Sequence, residues 1–366
     1  MSEPKPSALP EALADDQLKS LTGTVLAAQA NYYWVKLNQQ AEPLLCTSRA
    51  RLKKFGQQVM VGDRVRVEEP DWIEQRGAVA EVFVRRSQIE RPPIANVDQI
   101  LLVFALSEPT LDSTQLSRFL VKAESTGIST QLCLNKSDLA SEAEQRHWTT
   151  RLRQWGYDPI LLSLWQDEGS GQLYNLLDQK ITVLSGPSGV GKSSLINRLI
   201  PQVKLRTGLV SGKLGRGRHT TRHVELFELP TGGLLADTPG FNQPDLICRP
   251  AQLADYFPEI RQRRTAGACQ FNNCLHRDEP NCMVRGDWER YPLYLTFLAE
   301  VVAHQRDIDQ RGDGEAMTKA KSKSAGVVKD EPRLAAAYRQ VSRKTEKQLL
   351  RQLYSDEQCD EQYDEQ

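Results

Sequence analysis

The chain has 366 residues, which is long enough for two or three domains that each bury a core of their own. Charged residues make up 26% and hydrophobic residues 39%, as in ordinary globular proteins, and a formal net charge of zero gives no global argument for nucleic-acid binding. No apolar run is long enough to span a bilayer, and the N-terminus lacks the apolar segment of a signal peptide. We expect no membrane partner and, since the cysteine pattern also suits a reducing compartment, a cytoplasmic location. We also expect a monomer.

The N-terminal part of the chain is predicted to be a β-domain behind a polar leader. Residues 1–17 are predicted to be disordered, and residues 18–88 contain short β-rich runs at 22–26, 32–37, 61–67 and 78–84. Several short strands without a convincing helix predict a small β-barrel of the five-stranded OB kind, an architecture that often binds RNA. The same pattern also fits a β-domain with no role in nucleic-acid binding.

Strands and helices alternate through residues 89–247. Strands are predicted at 99–105, 131–134, 159–162, 180–184 and 234–236, and helices at 113–125, 142–155 and 193–200. This alternation predicts a mostly parallel sheet covered by helices on both faces. Residues 248–310 then carry a cysteine cluster and helical patterns, and residues 311–366 form a polar tail that we expect to be mobile, with a possible basic helix at 334–353.

A phosphate-binding loop follows the predicted strand at 180–184 and opens the next helix. It matches G-x-x-x-x-G-K-[ST] and runs through Gly186, Pro187, Ser188, Gly189, Val190, Gly191, Lys192 and Ser193 to Ser194. Its glycines allow backbone N–H groups to point at phosphate oxygens. We expect Lys192, a candidate catalytic residue, to reach the β- and γ-phosphates and Ser193 to ligate Mg²⁺. The alternative, a chance match in a Gly/Ser turn, is disfavoured by the flanking strand and helix.

A second phosphate-side motif, Asp-Thr-Pro-Gly, begins where the predicted strand at 234–236 ends. Asp237 in this place can hold Mg²⁺, and the N–H of Gly240 can sense the γ-phosphate. The pattern D-x-x-G occurs in many turns and is weak by itself. Its position after a strand and downstream of the phosphate loop makes it a candidate part of the nucleotide site.

The predicted buried strand at 131–134 is followed immediately by a match to the N/T-K-x-D guanine motif of GTPases. The four residues of the match are Asn135, Lys136, Ser137 and Asp138. The aspartate can accept hydrogen bonds from N1–H and the exocyclic amine of guanine, whereas adenine has the wrong polarity, so the motif favours GTP over ATP. For this tetrapeptide alone, a helix-capping turn is the alternative. Ser163, directly after the next predicted strand, is a candidate for the second base-contacting loop.

The two nucleotide motifs occur in the reverse of the usual order. In ordinary GTPases the phosphate loop comes first, whereas here the guanine motif precedes it. A parallel sheet tolerates this rearrangement, because a chain can be cut at an exposed loop and rejoined at its old termini without disturbing the site. The order therefore predicts a circularly permuted domain in which the segment after Asp237 leads directly into the C-terminal region.

A basic, glycine-containing segment at 215–222 lies between the phosphate loop and Asp237. Thr221 or Thr220 is the candidate Mg²⁺ ligand within it, and an ordinary solvated basic loop is the alternative. Phe241 occupies the position at which many GTPases have a water-orienting glutamine, and phenylalanine cannot orient water by hydrogen bonding. Either His219 takes a catalytic role or hydrolysis depends on a partner.

Three cysteines and one histidine are spaced as a metal site: Cys269, Cys274, His276 and Cys282. A closed set of three thiolates and one imidazole is typical of structural zinc, and soft thiolates argue against Mg²⁺. We expect one zinc ion per chain, with unrelated free cysteines as the alternative. The other cysteines have no such grouping and are interpreted as core or surface thiols: Cys46, Cys133, Cys248 and Cys359.

Together these features resemble the RsgA/YjeQ family of circularly permuted GTPases that depend on the small ribosomal subunit. The match runs from about residue 21 to about residue 305 and includes NKSD, GPSGVGKS, GRHTT and DTPG in that order. The resemblance implies an OB fold at 18–88, a GTPase domain at 89–247 and a mainly helical zinc-binding domain at 248–310. It also implies a late role in 30S subunit maturation, hydrolysis of GTP to GDP stimulated by that subunit, and His219 as the family's switch histidine.

Local charge is compatible with contacts to ribosomal RNA. Basic residues are concentrated in the segment between the phosphate loop and Asp237, at positions 204, 206, 213, 216, 218 and 222, and again in the tail. A solvated surface remains the alternative for each of them. Two other functions stay open: an RNA-binding assembly module in which nucleotide only supports the structure, and a P-loop ATPase.

Overall fold

The computed structural model of the protein describes residues 21–200 apart from 39, 41, 55 and 91, residues 224–237 and 246–310, and two strands within 318–332. The chain divides into two compact units, residues 1–301 and residues 302–366. The predicted leader and the possible helix at 334–353 lie outside the described residues. In the part of the chain that is described, no helix is long and apolar enough to cross a bilayer.

The predicted N-terminal barrel is confirmed: five strands close in the order β1-β2-β3-β5-β4. Their bounds are β1 Leu21–Gln29, β2 Tyr32–Leu37, β3 Leu44–Ser48, β4 Arg64–Asp71 and β5 Arg76–Val82. Only the β3–β5 pair within this barrel is parallel. Along β2, Tyr33, Val35 and Leu37 are buried while Tyr32 and Trp34 face outward, because successive side chains of a strand point to opposite faces.

Two short elements of the barrel were missing from the sequence prediction. These are β3 and the five-residue helix α1 at Ala50–Lys54, which lies between β3 and β4. The expectation of no helix in this domain was therefore wrong. Both elements have only five residues, which is too few for either the two-residue or the 3.6-residue period to become visible.

The turn that contains Gly62 and Asp63, directly before β4, is buried and contacts the segment that follows the barrel. The carboxylate of Asp63 accepts hydrogen bonds from the Met60 N–H at 2.7 Å and from Nε of Arg85 at 2.7 Å. A side chain at Gly62, where φ is +85°, would bring its Cβ within 2.1 Å of the Ala95 carbonyl oxygen, so this close approach requires glycine. The hairpin that packs here consists of β6 Gln88–Glu90 and β7 Pro93–Ala95.

The central domain is the predicted α/β sheet, with six strands in the order β10-β9-β8-β11-β13-β12. Its strands are β8 Gln99–Ala105, β9 Ser129–Asn135, β10 Ile160–Leu162, β11 Ile181–Ser185, β12 Leu226–Glu228 and β13 Leu234–Asp237. Its helices are α2 Ser113–Glu124, α3 Glu142–Gln154, α4 Ser170–Leu177 and α5 Lys192–Leu199. All neighbouring strands are parallel except β12, which runs antiparallel to β13 at the edge.

The sheet shows how the reversed motif order is accommodated. Strands β8, β9 and β10 form one half, and β11, β13 and β12 form the other; the halves meet where β11 pairs with β8. The strand that carries the guanine motif, β9, and the strand that leads to the phosphate loop, β11, flank β8 on opposite sides. Because these strands are parallel, their carboxyl ends lie at one edge of the sheet, which is where ligands bind in such folds.

The barrel contacts the edge of this sheet at β12, a three-residue strand that the sequence prediction missed. Ala27 of β1 forms an antiparallel bridge with Glu225, and the ammonium of Lys36 lies 2.8 Å from the Glu228 carboxylate. Leu26 and Leu226 belong to the same buried cluster. The barrel and the sheet thus share a core at β12.

The C-terminal part of the first unit is mainly helical, as predicted, and its helices pack around an aromatic core. It contains a 3-10 helix at Pro250–Tyr256, α6 at Pro258–Thr265 and the start of α7, Tyr291–Gln310. The ring of Phe257 meets that of Tyr294 edge-on at 5.4 Å and lies 6.0 Å from that of Trp288. Edge-to-face contacts of this kind stabilise a core beyond the area that they bury.

A buried arginine, paired with a glutamate of the same helical region, packs against the central domain. Nε of Arg290 donates to Glu259 at 2.7 Å, and the fully buried guanidinium lies over the rings of Trp155 and Phe257 at 4.7 Å and 5.0 Å. The adjacent Glu289 accepts a hydrogen bond from the indole N–H of Trp155 at 2.7 Å. Arg290 and Glu259 are thus buried at this interface, whereas Glu289 contacts Trp155 from an exposed position.

Glu259→Ala is expected to lower the free energy of unfolding by about 3–5 kcal/mol, because it leaves the Arg290 charge buried without its partner. Urea unfolding followed by tryptophan emission measures this change. Glu142→Ala is the matched control, since its pair with Arg146 is exposed and is expected to contribute no more than about 1 kcal/mol. Equal effects of the two substitutions would contradict the role given to the buried pair.

The second unit contains a hairpin in the segment that we predicted to be a polar tail. Strands β14 Thr318–Ser322 and β15 Val328–Pro332 pair antiparallel, with Ala320 opposite Asp330.

Candidate nucleotide and metal sites

The phosphate loop has a backbone that only glycine tolerates at its ends. At Gly186, φ is +146° and an added Cβ would lie 2.0 Å from the Val103 carbonyl oxygen; at Gly191, φ is +96° and a Cβ would lie 2.4 Å from Nδ2 of Asn135. Helix α5 begins directly after Gly191. The loop therefore lies tightly between β8 and the guanine motif, with a helix N-terminus behind it, which is the arrangement that binds phosphate.

Lys192 is positioned at the centre of this loop. Its ammonium donates to the carbonyl oxygens of Gly186 and Pro187 at 2.7 Å and 2.6 Å, and the residue is buried. Ser193 is half-buried and Ser194 exposed in the same first turn of α5, while Ser188 is exposed in the loop. A cation and three serine hydroxyl groups thus lie in or next to the phosphate loop.

The guanine motif lies directly against the phosphate loop. Asn135, at the end of β9 and 2% exposed, donates from Nδ2 to the Val190 carbonyl oxygen at 2.8 Å. Lys136 has a left-handed backbone with φ of +57°, and its ammonium donates to the carbonyl oxygen of Glu108. Two motifs that are 55 residues apart in the chain therefore form one site.

Ser163 lies beside the base-recognising aspartate. Its hydroxyl donates to Oδ1 of Asp138 at 2.6 Å, and its backbone exchanges two hydrogen bonds with Glu168, each 3.2 Å long. The Glu168 carboxylate also accepts from the hydroxyl of Ser137 at 3.1 Å. These bonds join the loop at 163–168 to the guanine motif from both of its ends.

Glu168 is a site residue that sequence reasoning missed. It immediately precedes Gly169, whose left-handed backbone caps α4, and an acidic residue before such a glycine is common in any turn. Only the folded chain places its carboxylate next to Ser137. The sequence offered no signal that would separate it from an ordinary loop glutamate.

Several predicted site residues cannot be placed. Asp237 ends β13, and its register with Leu184 puts it beside the strand that enters the phosphate loop, but its side chain lies outside the described residues. The same applies to all of His219, Thr220, Thr221, Gly240 and Phe241. Their predicted roles stay predictions.

The predicted cysteine–histidine cluster does converge. The ligand atoms of Cys269, Cys274, His276 and Cys282 all lie within 4.8 Å of one another. Nδ1 of His276 is 3.5 Å, 3.4 Å and 3.3 Å from the three sulfur atoms in chain order. A compact set of three thiols and one imidazole, without a carboxylate, fits a structural zinc ion.

The ligands are held by their surroundings. The hydroxyls of Tyr291 and Tyr294 donate to the carbonyl oxygens of His276 and Leu275 at 2.9 Å and 2.7 Å. Although partial burial opposes its ionisation, backbone N–H groups that include those of Leu275 and Arg277 lower the pKa of Glu279 to about 2. The ligand loop is therefore ordered around an ionised carboxylate and attached to α7.

Burial also affects the ligands' own protonation. It lowers the pKa of His276, which favours the neutral imidazole that a metal needs. It raises the pKa of the Cys274 thiol to about 12, so a zinc ion must displace a proton from that sulfur when it binds.

Comparison with known proteins agrees with this architecture. The profile of the family described as RsgA GTPase matches residues 82–247. The chain is 57% identical over 362 residues to a protein of Trichormus variabilis named "Small ribosomal subunit biogenesis GTPase RsgA", an alignment that covers 92% of this chain and 98% of the relative. A Synechocystis protein of the same name is 54% identical over 346 residues, and the alignment covers 90% of this chain and 94% of that protein.

Two solved structures are similar over most of the chain. The crystal structure of YloQ, a circularly permuted GTPase, superposes with a TM-score of 0.67 at 30% identity and covers 80% of this chain and 99% of that one. The structure of YjeQ from Thermotoga maritima gives a TM-score of 0.66 at 30% identity, and the superposition covers 77% of this chain and 98% of that one.

These similarities confirm both the predicted fold class and the predicted enzyme class. The barrel, the sheet with its reversed motif order, and the helical region with its cysteine–histidine cluster occur in one chain, as in the circularly permuted GTPases. The chain belongs to the RsgA family of GTPases, enzymes that hydrolyse GTP.

Proposed function

We propose that this GTPase acts in the maturation of the small ribosomal subunit and that the subunit accelerates its conversion of GTP to GDP and phosphate. The names of the relatives at 57% and 54% identity support the ribosomal role. The observation that carries the chemistry is the hydrogen bond from Asn135 to Val190, because it joins the guanine motif to the phosphate loop. A cytoplasmic location follows from that role; the monomeric state stays a prediction that light scattering tests.

The guanine side of the site consists of residues 135–138 and Ser163. Asp138 accepts from N1–H and the exocyclic amine of guanine, and Ser163 holds one oxygen of that carboxylate through its 2.6 Å hydrogen bond. Asn135 supports the loop rather than the base, since its Nδ2 is already bonded to Val190. Ser137 is fixed by Glu168 and in turn fixes the backbone beside Asp138.

The phosphate side consists of residues 186–194, whose N–H groups face the phosphate oxygens. When nucleotide binds, the Lys192 ammonium leaves the carbonyl oxygens of the loop and contacts the β- and γ-phosphates. Its position at the centre of the loop supports this assignment. Ser193, Thr221 and Asp237 are the residues that would hold Mg²⁺, which neutralises charge on the phosphates. The N–H of Gly240 is assigned to the γ-phosphate.

Hydrolysis requires a group that orients water, and Phe241 cannot supply it. We assign this role to His219, which the subunit would bring into position. His219→Ala is expected to lower the 30S-stimulated rate by at least about a hundredfold, as for other positioned acid–base groups. GDP affinity should not change. His304→Ala, at an exposed position of α7, is the control.

Contacts with ribosomal RNA are assigned in part to the barrel. On the outer face of β2, Tyr32 is 53% exposed and Trp34 is 42% exposed. Exposed aromatic rings on a five-stranded barrel suit stacking with unpaired bases. The basic residues between 204 and 222 would add contacts to phosphates.

The central experiment compares phosphate release from GTP with and without purified 30S subunits. We expect the subunit to raise the rate by at least about tenfold, because completing a water-orienting or charge-stabilising group has large effects in GTPases. GTP is kept at a saturating concentration, and the protein is first incubated with an equimolar amount of subunits. The measured rate then reports turnover and not the binding of either partner. A rate with subunits no higher than without them would support an assembly module in which nucleotide has only a structural role.

A further inference from the structure

Trp165 is the most exposed tryptophan among the described residues. It is 93% exposed, whereas Trp34 and Trp72 are 42% and 41% exposed and Trp155 is 1% exposed. A single exposed apolar residue needs no special explanation. Tryptophan, however, gains more than any other side chain from covering its large ring, so its position in the fold decides what that ring can cover.

That position is the tip of the loop that contacts the guanine motif. The reciprocal backbone bonds between Ser163 and Glu168, 3.2 Å each, close the loop at 163–168, in which Trp165 follows Leu164. At the base of this loop, the Ser163 hydroxyl lies 2.6 Å from Oδ1 of Asp138. Trp165 is therefore two residues from a direct contact with the side chain assigned to the edge of guanine.

The residues on both sides of Trp165 make contacts that hold the loop backbone. Leu164 packs against the core of the central domain. The N–H of Gln166 donates to the Ser163 hydroxyl at 3.1 Å, and Asp167 accepts from Arg198 of α5 at 3.1 Å. An indole carried by so constrained a backbone loses little conformational entropy when it contacts a ligand, which favours binding.

A guanine base presents surfaces that the assigned hydrogen bonds leave uncovered. Asp138 contacts the edge of the ring, and hydrogen bonds to that edge do nothing to remove its faces from water. The methylene chain of Lys136, which reaches from the guanine motif to the Glu108 carbonyl oxygen, provides one apolar surface nearby. A purine between an aliphatic chain and an indole would be covered on both faces.

We propose that Trp165 stacks on the guanine base of bound GDP and GTP, as a base-binding residue; this rests on the guanine site proposed above. Its contribution is affinity rather than selectivity, since stacking does not read the exocyclic amine. A stacked base from ribosomal RNA is the competing occupant. The anchoring of the loop to Asp138 and Ser137 favours the nucleotide, because both anchors lie within the proposed base site.

The test is calorimetric titration of the full-length protein and its variants with GDP and with inosine diphosphate. Trp165→Ala is expected to weaken binding of both nucleotides by the same factor, at least about fivefold, and Trp165→Phe to stay within about threefold of the native protein. GDP should also change the native tryptophan emission, and this change should be absent in Trp165→Phe. Trp72→Ala, in the barrel, is the control for loss of an exposed indole.

Asp138→Asn, titrated in parallel, separates the two proposals. If it loses guanine selectivity while Trp165→Ala binds GDP within about twofold of the native protein, stacking is wrong and the guanine site stands. If neither variant changes GDP binding, both proposals are wrong. Loss of 30S stimulation in Trp165→Ala with unchanged GDP affinity would instead assign the indole to the subunit and overturn the inference.

Discussion

Asp138→Asn is expected to weaken GDP binding by at least about a hundredfold and to strengthen binding of xanthosine diphosphate. The amide oxygen can still accept from the Ser163 hydroxyl, now 2.6 Å away, so the loop need not change. The amide nitrogen, however, then meets the N–H donors of guanine with a donor of its own. Xanthine has an oxygen at C2 instead of an amine, and that oxygen accepts from the new amide.

Titration of the native protein and the variant with GDP, xanthosine diphosphate and ADP measures this exchange of preference. Asp158→Asn is the matched control, because its side chain is 77% exposed and pairs with the exposed Arg153. Unchanged GDP binding in Asp138→Asn would show that residues 135–138 form an ordinary turn. Tighter binding of ADP than of GDP by the native protein would favour a P-loop ATPase.

Cys274→Ser is expected to reduce bound zinc from about one equivalent per chain to less than about half and to destabilise the helical region. A hydroxyl is a poor zinc ligand at neutral pH, and a structural zinc ion contributes its binding free energy to folding. Melting temperature should fall by about 5–15 °C, since the loss of one ligand removes several kcal/mol from a domain of this size. Metal analysis and thermal unfolding followed by circular dichroism provide the two readouts.

Cys248→Ser is the control for this substitution. Cys248 is a half-buried thiol that does not belong to the cluster, and its replacement should preserve both zinc content and melting temperature. Treating the native protein with a chelator should reproduce the effect of Cys274→Ser. A full equivalent of zinc in Cys274→Ser, with native stability, would exclude the closed four-ligand site.

If zinc binds the cysteine–histidine cluster as predicted, its removal should also affect the interface between the helical region and the central domain. Trp155 of the central domain donates to Glu289 at 2.7 Å and lies under the guanidinium of Arg290 at 4.7 Å. Both acceptor and cation come from the segment between the metal ligands and α7. Loss of zinc is therefore expected to loosen contacts with α3 as well, which a red shift in tryptophan emission would report.

The sequence alone identified those parts of the sites in which the chemistry requires a particular residue at a fixed local spacing. The phosphate loop needed glycines at 186 and 191, because φ there is +146° and +96°, and that requirement is visible as a local pattern. The metal cluster was visible for the same reason, since three thiols and an imidazole within one short segment have few other uses. Long apolar runs such as β8, in which every residue is buried, also predicted their strands correctly.

Contacts between distant parts of the chain were decided only by the tertiary structure. The Asn135–Val190 bond spans 55 residues, and the Lys36–Glu228 pair spans 192. Local motifs identified Asn135 and Val190 separately, but no local pattern records which residues meet across such a separation. The same is true of Glu168, whose role beside Ser137 exists only after the loop closes.

Short strands were not predicted from the sequence, for a related reason. Strands β3 and β12 have five and three residues, too few to show a period, and they form because neighbouring strands supply their hydrogen bonds. The local sequence thus determined the chemical groups of the nucleotide and metal sites. The tertiary structure decided which of those groups meet, because strand pairing and burial act between segments that the linear pattern keeps apart.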